Sequence, residues 1–375
     1  MSKKKHRSRT VTKRPVIQQR TMPGAEPGFF DFGDREECPL VRVYSYSQTD
    51  YHENMFNSTE TLFKYLDAET ALIHWVDVSG YGNKNFFGRM AARFGLHDLQ
   101  IEDVVSQQQR PKVEEFDTHL FILSRMKYTN AERVFIDEQV SMFVFENLVL
   151  SFQDYEEDCL QPVRDRLKKT NSRIRQGDAF FLAYSIQDAI IDNYFPLLDL
   201  LSDALTELEN EILANPGKEV LTEMQNIKRL LIDLRKSIWP EKDKMNELLR
   251  SHYKLVKPEY EIYLRDTYDH CVQIMDLIET NKEIAHSIMD VYLNSVNNKL
   301  SEVMKVLTVI SSVFIPLTFI VGVYGMNFSA TDKAGQELPF NMPELYHPWG
   351  YAAIMVLMLF IAIAQLLYFR RKKWL

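Results

Sequence analysis

The chain is 375 residues long, with 52 acidic against 44 basic residues and a formal charge of −8. That length holds one large or two ordinary domains, and the acidic balance argues against a partner held by nucleic-acid phosphates. Cys38, Cys159 and Cys271 are odd in number and widely spaced, so they read as free thiols of a reducing compartment.

Residues 1–37 come first. The opening MSKKKHRSRTVTKRPVIQQR carries eight Lys or Arg, no acid and no apolar signal core. It reads as a disordered cytoplasmic tail that touches anionic lipid, in preference to an arm for nucleic acid. Residues 38–257 read as a cytoplasmic α/β and helical domain. LVRVYSY, ALIHWVDV, HLFILSRMKY, VSMFVFEN and LVLSFQD have the β-branched and aromatic content of strands, with a mixed or antiparallel portion. NFFGRMAARFGL between them reads as a helix ended by Gly95. There is no GxxxxGK loop, the glycines of GYGNKNFFG are wrongly spaced for a dinucleotide turn, and HExxH, nucleophile-elbow and paired-cysteine patterns are missing. Nothing in the sequence supports an enzyme.

Beyond Gln176 the apolar period becomes helical. GDAFFLAYSIQDAIIDNYFPLLDLLSDALTELENEILA is expected to run as one helix to Asn215, Pro216 and Gly217, and EVLTEMQNIKRLLIDLRKSIW as a second that stops at Pro240. The first places Asp188, Asp192, Asp199, Asp203 and Glu207 along one side, either as a solvated stripe or as a surface for hard divalent cations, which take carboxylate oxygens.

From Glu259 to Ile315 there is neither glycine nor proline, a run that would extend about 86 Å as one helix. Leu264, Tyr268, Cys271, Met275, Ile278, Lys282, Ala285, Met289, Tyr292 and Val296 recur at steps of three and four, interrupted by the polar Lys282. Such a seam asks for partner helices, and the expectation is a stalk in a symmetric oligomer. The stalk with the span it enters occupies residues 258–324.

No charge occurs between Lys305 and Asp332, nor from Pro348 to Phe369, and aromatic residues flank the second run. Both meet the roughly 20 apolar residues that a span needs, and helices of a soluble core seldom stay uncharged for so long. The second span and its basic tail take residues 348–375, after a connector over 325–347. Arg370, Arg371, Lys372 and Lys373 follow the second span, whereas the connector holds Asp332, Lys333, Glu337 and Glu344. The positive-inside rule puts both termini in the cytoplasm and the connector outside. The helical period sets Met304, Leu307, Ser311, Ile315, Thr318 and Gly322 on one face. This neutral face either lines a hydrophobic constriction or packs on lipid or the other span. Pro316 frees one carbonyl of the helix a turn earlier.

EVMKVLTVISSVFIPLTFIVGVYGMNF, then MPEL and the closing YFRRKKWL, closely resemble the CorA family of magnesium transport proteins. YGMN at the outer end of the first of two C-terminal spans is that family's signature, and IEDVVSQQQRPKVE, KRLLIDLRKSIWP and RDTYDH extend the likeness upstream. The resemblance implies an α+β membrane protein whose cytoplasmic α/β domain leads through a long stalk helix into the first of two C-terminal transmembrane helices. It implies a homopentamer in the cell (inner) membrane, with the first span of each chain lining a central pore; the neutral face is then the pore face.

By the same likeness Tyr324, Gly325, Met326 and Asn327 form the entrance filter, and Glu344 draws cations to the mouth. Regulatory metal sites pair Asp103 with Asp266 and Glu102 with Asp188. The implied function is passive, potential-driven Mg2+ influx, gated by intracellular Mg2+ and extending to Co2+ or Ni2+. The alternatives are transport of another divalent ion (cobalt, nickel or zinc) and a non-conducting membrane sensor. Two departures from the family pattern stand out. About ten extra residues, SATDKAGQELPFN, lie between GMNF and MPEL, and Ile315 stands where many relatives carry methionine.

Overall fold

The computed structural model describes residues 39–81, 84–106, 109–130, 132, 134–214, 217–330, 336, 338–343 and 347–374. Residues 1–38, with Cys38, and the connector residues Asp332, Lys333, Glu337 and Glu344 lie outside them, as do Asn215 and Pro216. The chain divides into two units, residues 1–211 with 217–289 and residues 212–216 with 290–375.

The first unit opens with β1 (Leu40–Tyr46), β2 (Tyr51–Phe56), α1 (Thr59–Ala68), β3 (Ile73–Ser79), α2 (Lys84–Phe94) and α3 (Asp98–Val105). It continues with β4 (Lys112–Glu115), β5 (Leu120–Thr129), β6 (Phe135–Val144) and β7 (Leu148–Gln153). Then come α4 (Gln161–Lys168), α5 (Arg173–Gln176), α6 (Ala179–Asp192), α7 (Tyr194–Ala214), α8 (Lys218–Arg250) and the first part of α9 (Glu261–Tyr324). The seven strands form one sheet in the order β2-β1-β3-β7-β6-β5-β4. Among the described residues only β3 and β7 pair in parallel. The mixed sheet expected from the sequence is present, with the edge strands β2 and β4 and the short helices α1, α3, α4 and α5, which its apolar pattern does not announce.

Alternation along the strands builds a core on each face. Val76 and Val78 of β3 join Phe121, Phe143, Leu150 and Phe152 beneath Leu62, Phe87, Met90, Ile101 and Val104 of α1, α2 and α3. On the opposite face, Trp75 donates to Ser151 Oγ at 2.8 Å, and that hydroxyl donates to Asp77 at 2.8 Å. Arg164 of α4 bonds Asp77 and Asp158 at 2.8 and 2.5 Å and lies over the rings of Trp75 and Tyr44. Buried charge is thus paired, as burial demands. Cys159 and Cys271 are free thiols, both pushed up in pKa by burial.

Two helix boundaries differ from the sequence reading. The expected single helix over 177–214 is broken at Asn193 into α6 and α7. Pro196 has no N–H for the Asp192 carbonyl, and Asn193 and Tyr194 turn to the sheet, bonding Lys127 O at 2.6 Å and Arg125 O at 2.8 Å. Conversely, α8 does not stop at Pro240 but runs through it to Arg250. The turn beyond the proline is held by the sheet. Glu241 accepts from Arg125 N–H at 2.7 Å, while Lys244 donates to Ser124 Oγ at 2.5 Å and pairs with Glu241 at 2.5 Å. Tertiary bonds outweigh the missing helical one.

The seam of α9 is also displaced. The buried positions are Leu264, Thr267, Cys271, Ile274, Ile278, Asn281, Ala285 and Ile288. Leu264, Cys271, Ile278 and Ala285 agree with the expected set, but Tyr268, Met275, Lys282 and Met289 are only half-buried. The polar members are therefore Thr267 and Asn281, and the Asn281 amide donates to Leu198 O of α7 at 3.5 Å. Thr267 bonds Asp188 of α6, and Glu279 pairs with Arg235 of α8. Up to Ile288 the seam is filled by helices of the same chain.

The second unit contains the remainder of α9, which continues helical through Pro316 to Tyr324, and α10 (Gly350–Arg371). Both helices are long and apolar enough to cross a membrane. The end of α10 is closed by Lys373 at φ 56°, with Trp374 N–H on Phe369 O at 3.0 Å and Lys373 N–H on Arg370 O at 3.2 Å. Phe369 stacks on Trp374, the apolar contact that accompanies this left-handed helix stop.

Candidate ion path and cation sites

Within the second unit each apolar helix has one covered stripe. On α9 it follows Val309, Ser312, Val313, Pro316, Leu317, Ile320 and Val323. On α10 it follows Ile354, Met358, Ile361, Gln365 and Phe369. At about 100° per residue the stripe on α9 lies opposite the face of Met304, Leu307, Ser311, Ile315, Thr318 and Gly322. Met304, Leu307 and Ile315 are 53%, 55% and 65% exposed in the single chain. Bulky Ile310, Phe314 and Val321 gather on the neighbouring flank, whereas Ser311, Thr318 and Gly322 make the opposite face smaller and more polar. Among its hydroxyls Thr308 is satisfied by Met304 O at 2.7 Å.

After Tyr324 the backbone turns tightly. Gly325 N–H donates to Val321 O at 2.9 Å, Met326 N–H to Val323 O at 3.2 Å, and Phe328 N–H to Met326 O at 3.2 Å. A Cβ on Gly325 would lie 3.2 Å from Val321 O and 3.4 Å from Gly322 O, so the close approach calls for glycine. Met326 and Asn327 are exposed, and Tyr324 is half-buried. Beyond them Leu338 N–H reaches Ala330 O at 2.8 Å and the Asn341 amide reaches Ser329 O at 3.0 Å, closing the loop on itself. Glu344 lies outside the described residues.

The acid sites belong to the first unit. Asp188 and Asp192 stand one turn apart on α6, and Asp266 and His270 one turn apart on α9. His270 Nδ1 is 2.8 Å from Asp192, and its Nε2 is 3.9 Å from Asp266. Thr267 donates to Asp188 at 3.0 Å, and Tyr184 at 3.4 Å. Ligand atoms of Asp188, Asp192 and His270 all lie within 4.8 Å of one another, a donor set that fits a divalent ion. Burial, reinforced by the Asp192 charge, holds the Asp188 carboxyl above the usual range, and a cation would relieve both effects. The sequence reading missed His270; its signal is the Asp-x-x-x-Asp and Asp-x-x-x-His pair on facing helices.

Glu102 and Asp103 stand apart on α3. His97 caps this helix by accepting from Leu99 N–H at 3.1 Å, and its own N–H bonds Gln100 Oε1 at 2.8 Å. The Gln139 amide fixes the other end on Asp103 O at 2.7 Å. Within one chain the Asp103 carboxylate is paired with Lys112 at 2.7 Å, and Asp266 faces His270.

A sheet domain with carboxylate clusters, one helix leading from it into the first of two terminal apolar helices, and a Gly-Met-Asn turn at that helix's end define a two-span membrane transporter of cations. Residues 71–371 match the family described as CorA-like Mg2+ transporter protein. The chain is 38% identical over 354 residues to the cobalt/magnesium transport protein CorA of Thermotoga maritima, covering 94% of this chain and 97% of that one. It is 31% identical over 302 residues to the putative metal ion transporter YfjQ of Bacillus subtilis, covering 80% and 89%. Its fold matches the complete CorA magnesium transporter of Methanocaldococcus jannaschii with TM-score 0.70 at 22% identity, over 90% of this chain and 99% of that one. The full-length CmaX protein matches with TM-score 0.67 at 16% identity, over 92% and 100%. The chain belongs to the CorA-like Mg2+ transporter family. It is a membrane transporter of divalent cations and not an enzyme.

Proposed function

We propose that the chain is a magnesium channel of the cell's inner membrane, conducting Mg2+ passively inward through the centre of a homopentamer. The observation that carries this reading is the neutral face of α9, exposed at Met304, Leu307, Ile315, Thr318 and Gly322 and half-buried at Ser311, which lies opposite the covered stripe and ends at Gly325, Met326 and Asn327. Mg2+ gives up water reluctantly, so amide and carbonyl oxygens at Asn327 accept hydrogen bonds from the hydrated ion without stripping it. Neutral acceptors also hold the ion weakly enough to release it. A divalent ion gains about 4.6 kcal/mol over 100 mV, so the membrane potential alone drives influx.

Association is supported by Leu293, Val296, Leu300 and Val303, a second stripe at steps of three and four that a single chain leaves exposed. The number five follows the family resemblance. Arg370 and Arg371 in the last turn of α10, with Lys372 and Lys373 after it, favour a cytoplasmic C-terminus, and the sheet domain with the N-terminus on the same side. Glu102 with Asp188 and Asp103 with Asp266 are assigned to regulatory Mg2+ held between neighbouring subunits, joined by Asp192 and His270. Bound ions neutralise these carboxylates and hold the stalks closed, and their loss lets repulsion loosen the path from Met304 to Ile315. Co2+ and Ni2+ are carried as well, and the His270 imidazole favours such ions at the regulatory cluster.

Growth of magnesium-uptake-deficient cells tests the reading. The native chain should restore growth at low Mg2+, and Asn327→Ala at equal membrane abundance should not. Equal rescue by both would remove the filter assignment, and no rescue by the native chain would remove magnesium transport.

A further inference from the structure

One contact in the first unit is unaccounted for by the reading above. Asp103 is exposed enough at its carboxylate, 21%, to meet an ion from solution, yet it is already bonded by the Lys112 ammonium at 2.7 Å. Lys112 sits at the start of the edge strand β4 and also bonds Glu114 at 2.8 Å. Its ammonium lies 5.6 Å from the centre of the Phe121 ring, which gives the cation a third, non-ionic support.

We infer that Lys112 is a tethered competitor for the regulatory cation at Asp103: its ammonium occupies the carboxylate in the ion-free subunit, and a divalent ion must displace it. The inference rests on the proposal that Asp103 is a regulatory metal ligand. Three features support it. An ammonium and a divalent cation cannot share the inner oxygens of one carboxylate, since like charges at that range repel strongly. Displacement leaves no orphaned charge, because Glu114 retains Lys112. The backbone of α3 is clamped by Gln139 on Asp103 O, so the exchange needs only side-chain movement. Lys112 therefore sets the magnesium concentration at which the cytoplasmic domain responds.

The test uses the full chain in detergent, with MgCl2 titrated by calorimetry and by protection against chymotrypsin. Lys112→Gln, and Lys112→Met as a second form, should shift both midpoints to about fivefold lower Mg2+, the factor equivalent to about 1 kcal/mol for a partly exposed pair. Lys112→Arg should stay near the native midpoint. Lys168→Gln, which removes the same charge from α4, should leave it unchanged. An unchanged or higher midpoint in both Lys112→Gln and Lys112→Met overturns the inference; a higher one would make Lys112 a positioning residue for Asp103. Asp103→Asn separates the two levels. If it leaves the native midpoint unaltered, the metal-ligand reading itself fails. If it raises the midpoint while the Lys112 variants do nothing, only the competitor role falls.

Discussion

The register of the α9 seam has a sharp energetic consequence. Ile274 and Met275 are neighbours in sequence, yet Ile274 is fully buried while Met275 is half-buried. Ile274→Ala removes three buried carbons, worth about 2.4 kcal/mol at roughly 0.8 kcal/mol each. A cavity term brings the loss to about 3 kcal/mol, inside the usual range for such truncations. For a unit of this size that corresponds to a fall of about 6–12 °C in the thermal midpoint. Met275→Ala, with much of its side chain already in water, should lower it by about 3 °C at most. Circular dichroism melts of the full chain in detergent at one scan rate give the comparison. If Met275→Ala destabilises as much as Ile274→Ala, the packing register derived above is wrong and the seam runs through Tyr268, Met275 and Lys282.

Gly325→Ala places a methyl 3.2 Å from Val321 O, lengthening the bond that ends α9. Its stability cost is expected to be about 1 kcal/mol, whereas flux of Mg2+ into liposomes should fall more than tenfold. Asp137 is held at about 2 because Lys127 and Arg125 outweigh the effect of its burial, against an ordinary value of 3.8. The folded value is depressed, so the stabilisation, about 2 kcal/mol, is complete above pH 3.8 and lost as pH falls through about 2. Asp137→Asn should flatten that acid limb in denaturant melts and cost about 3–5 kcal/mol at neutral pH, since Lys127 is fully buried beside it. Arg235→Ala breaks a 3.7 Å pair with Glu279 whose side chains are both nearly half exposed, and the melt should shift by less than about 1 kcal/mol.

Elements that bury two faces or a long stripe were legible in the sequence. Strands β1, β3, β5, β6 and β7 carry dense Val, Ile, Phe and Tyr, and α9 and α10 declare themselves by uninterrupted apolar length. The edge strands were not, because YHENMF and KVEE face water along much of their length and show no clean alternation. Proline misled twice for one reason. Local propensity ended α8 at Pro240 and ran α6 through Pro196, but Glu241, Lys244, Asn193 and Tyr194 bond distant strand backbone that no local pattern reveals. In α9 a step of three or four leaves a one-residue choice at every second position, and an amphipathic Lys282 beside Asn281 does not resolve it. At the sites, spacing alone put Asp188 and Asp192 on one side of a helix and likeness named Asp266, while the company of Asp188 and Asp192 with His270 depends on how α6 meets α9.

The single parallel pairing of the sheet also bears on how the chain is made. Register His74↔Leu148 joins β3 to a strand synthesised some 75 residues later, so the antiparallel ribbon β2-β1-β3 waits with its β3 edge open until β7 leaves the ribosome. Once β7 has emerged, about 150 residues still precede the first apolar span, which at 5–20 residues per second is roughly 8–30 s. The order of elements thus lets the sheet close, and its exposed edge disappear, before any membrane-bound segment demands insertion.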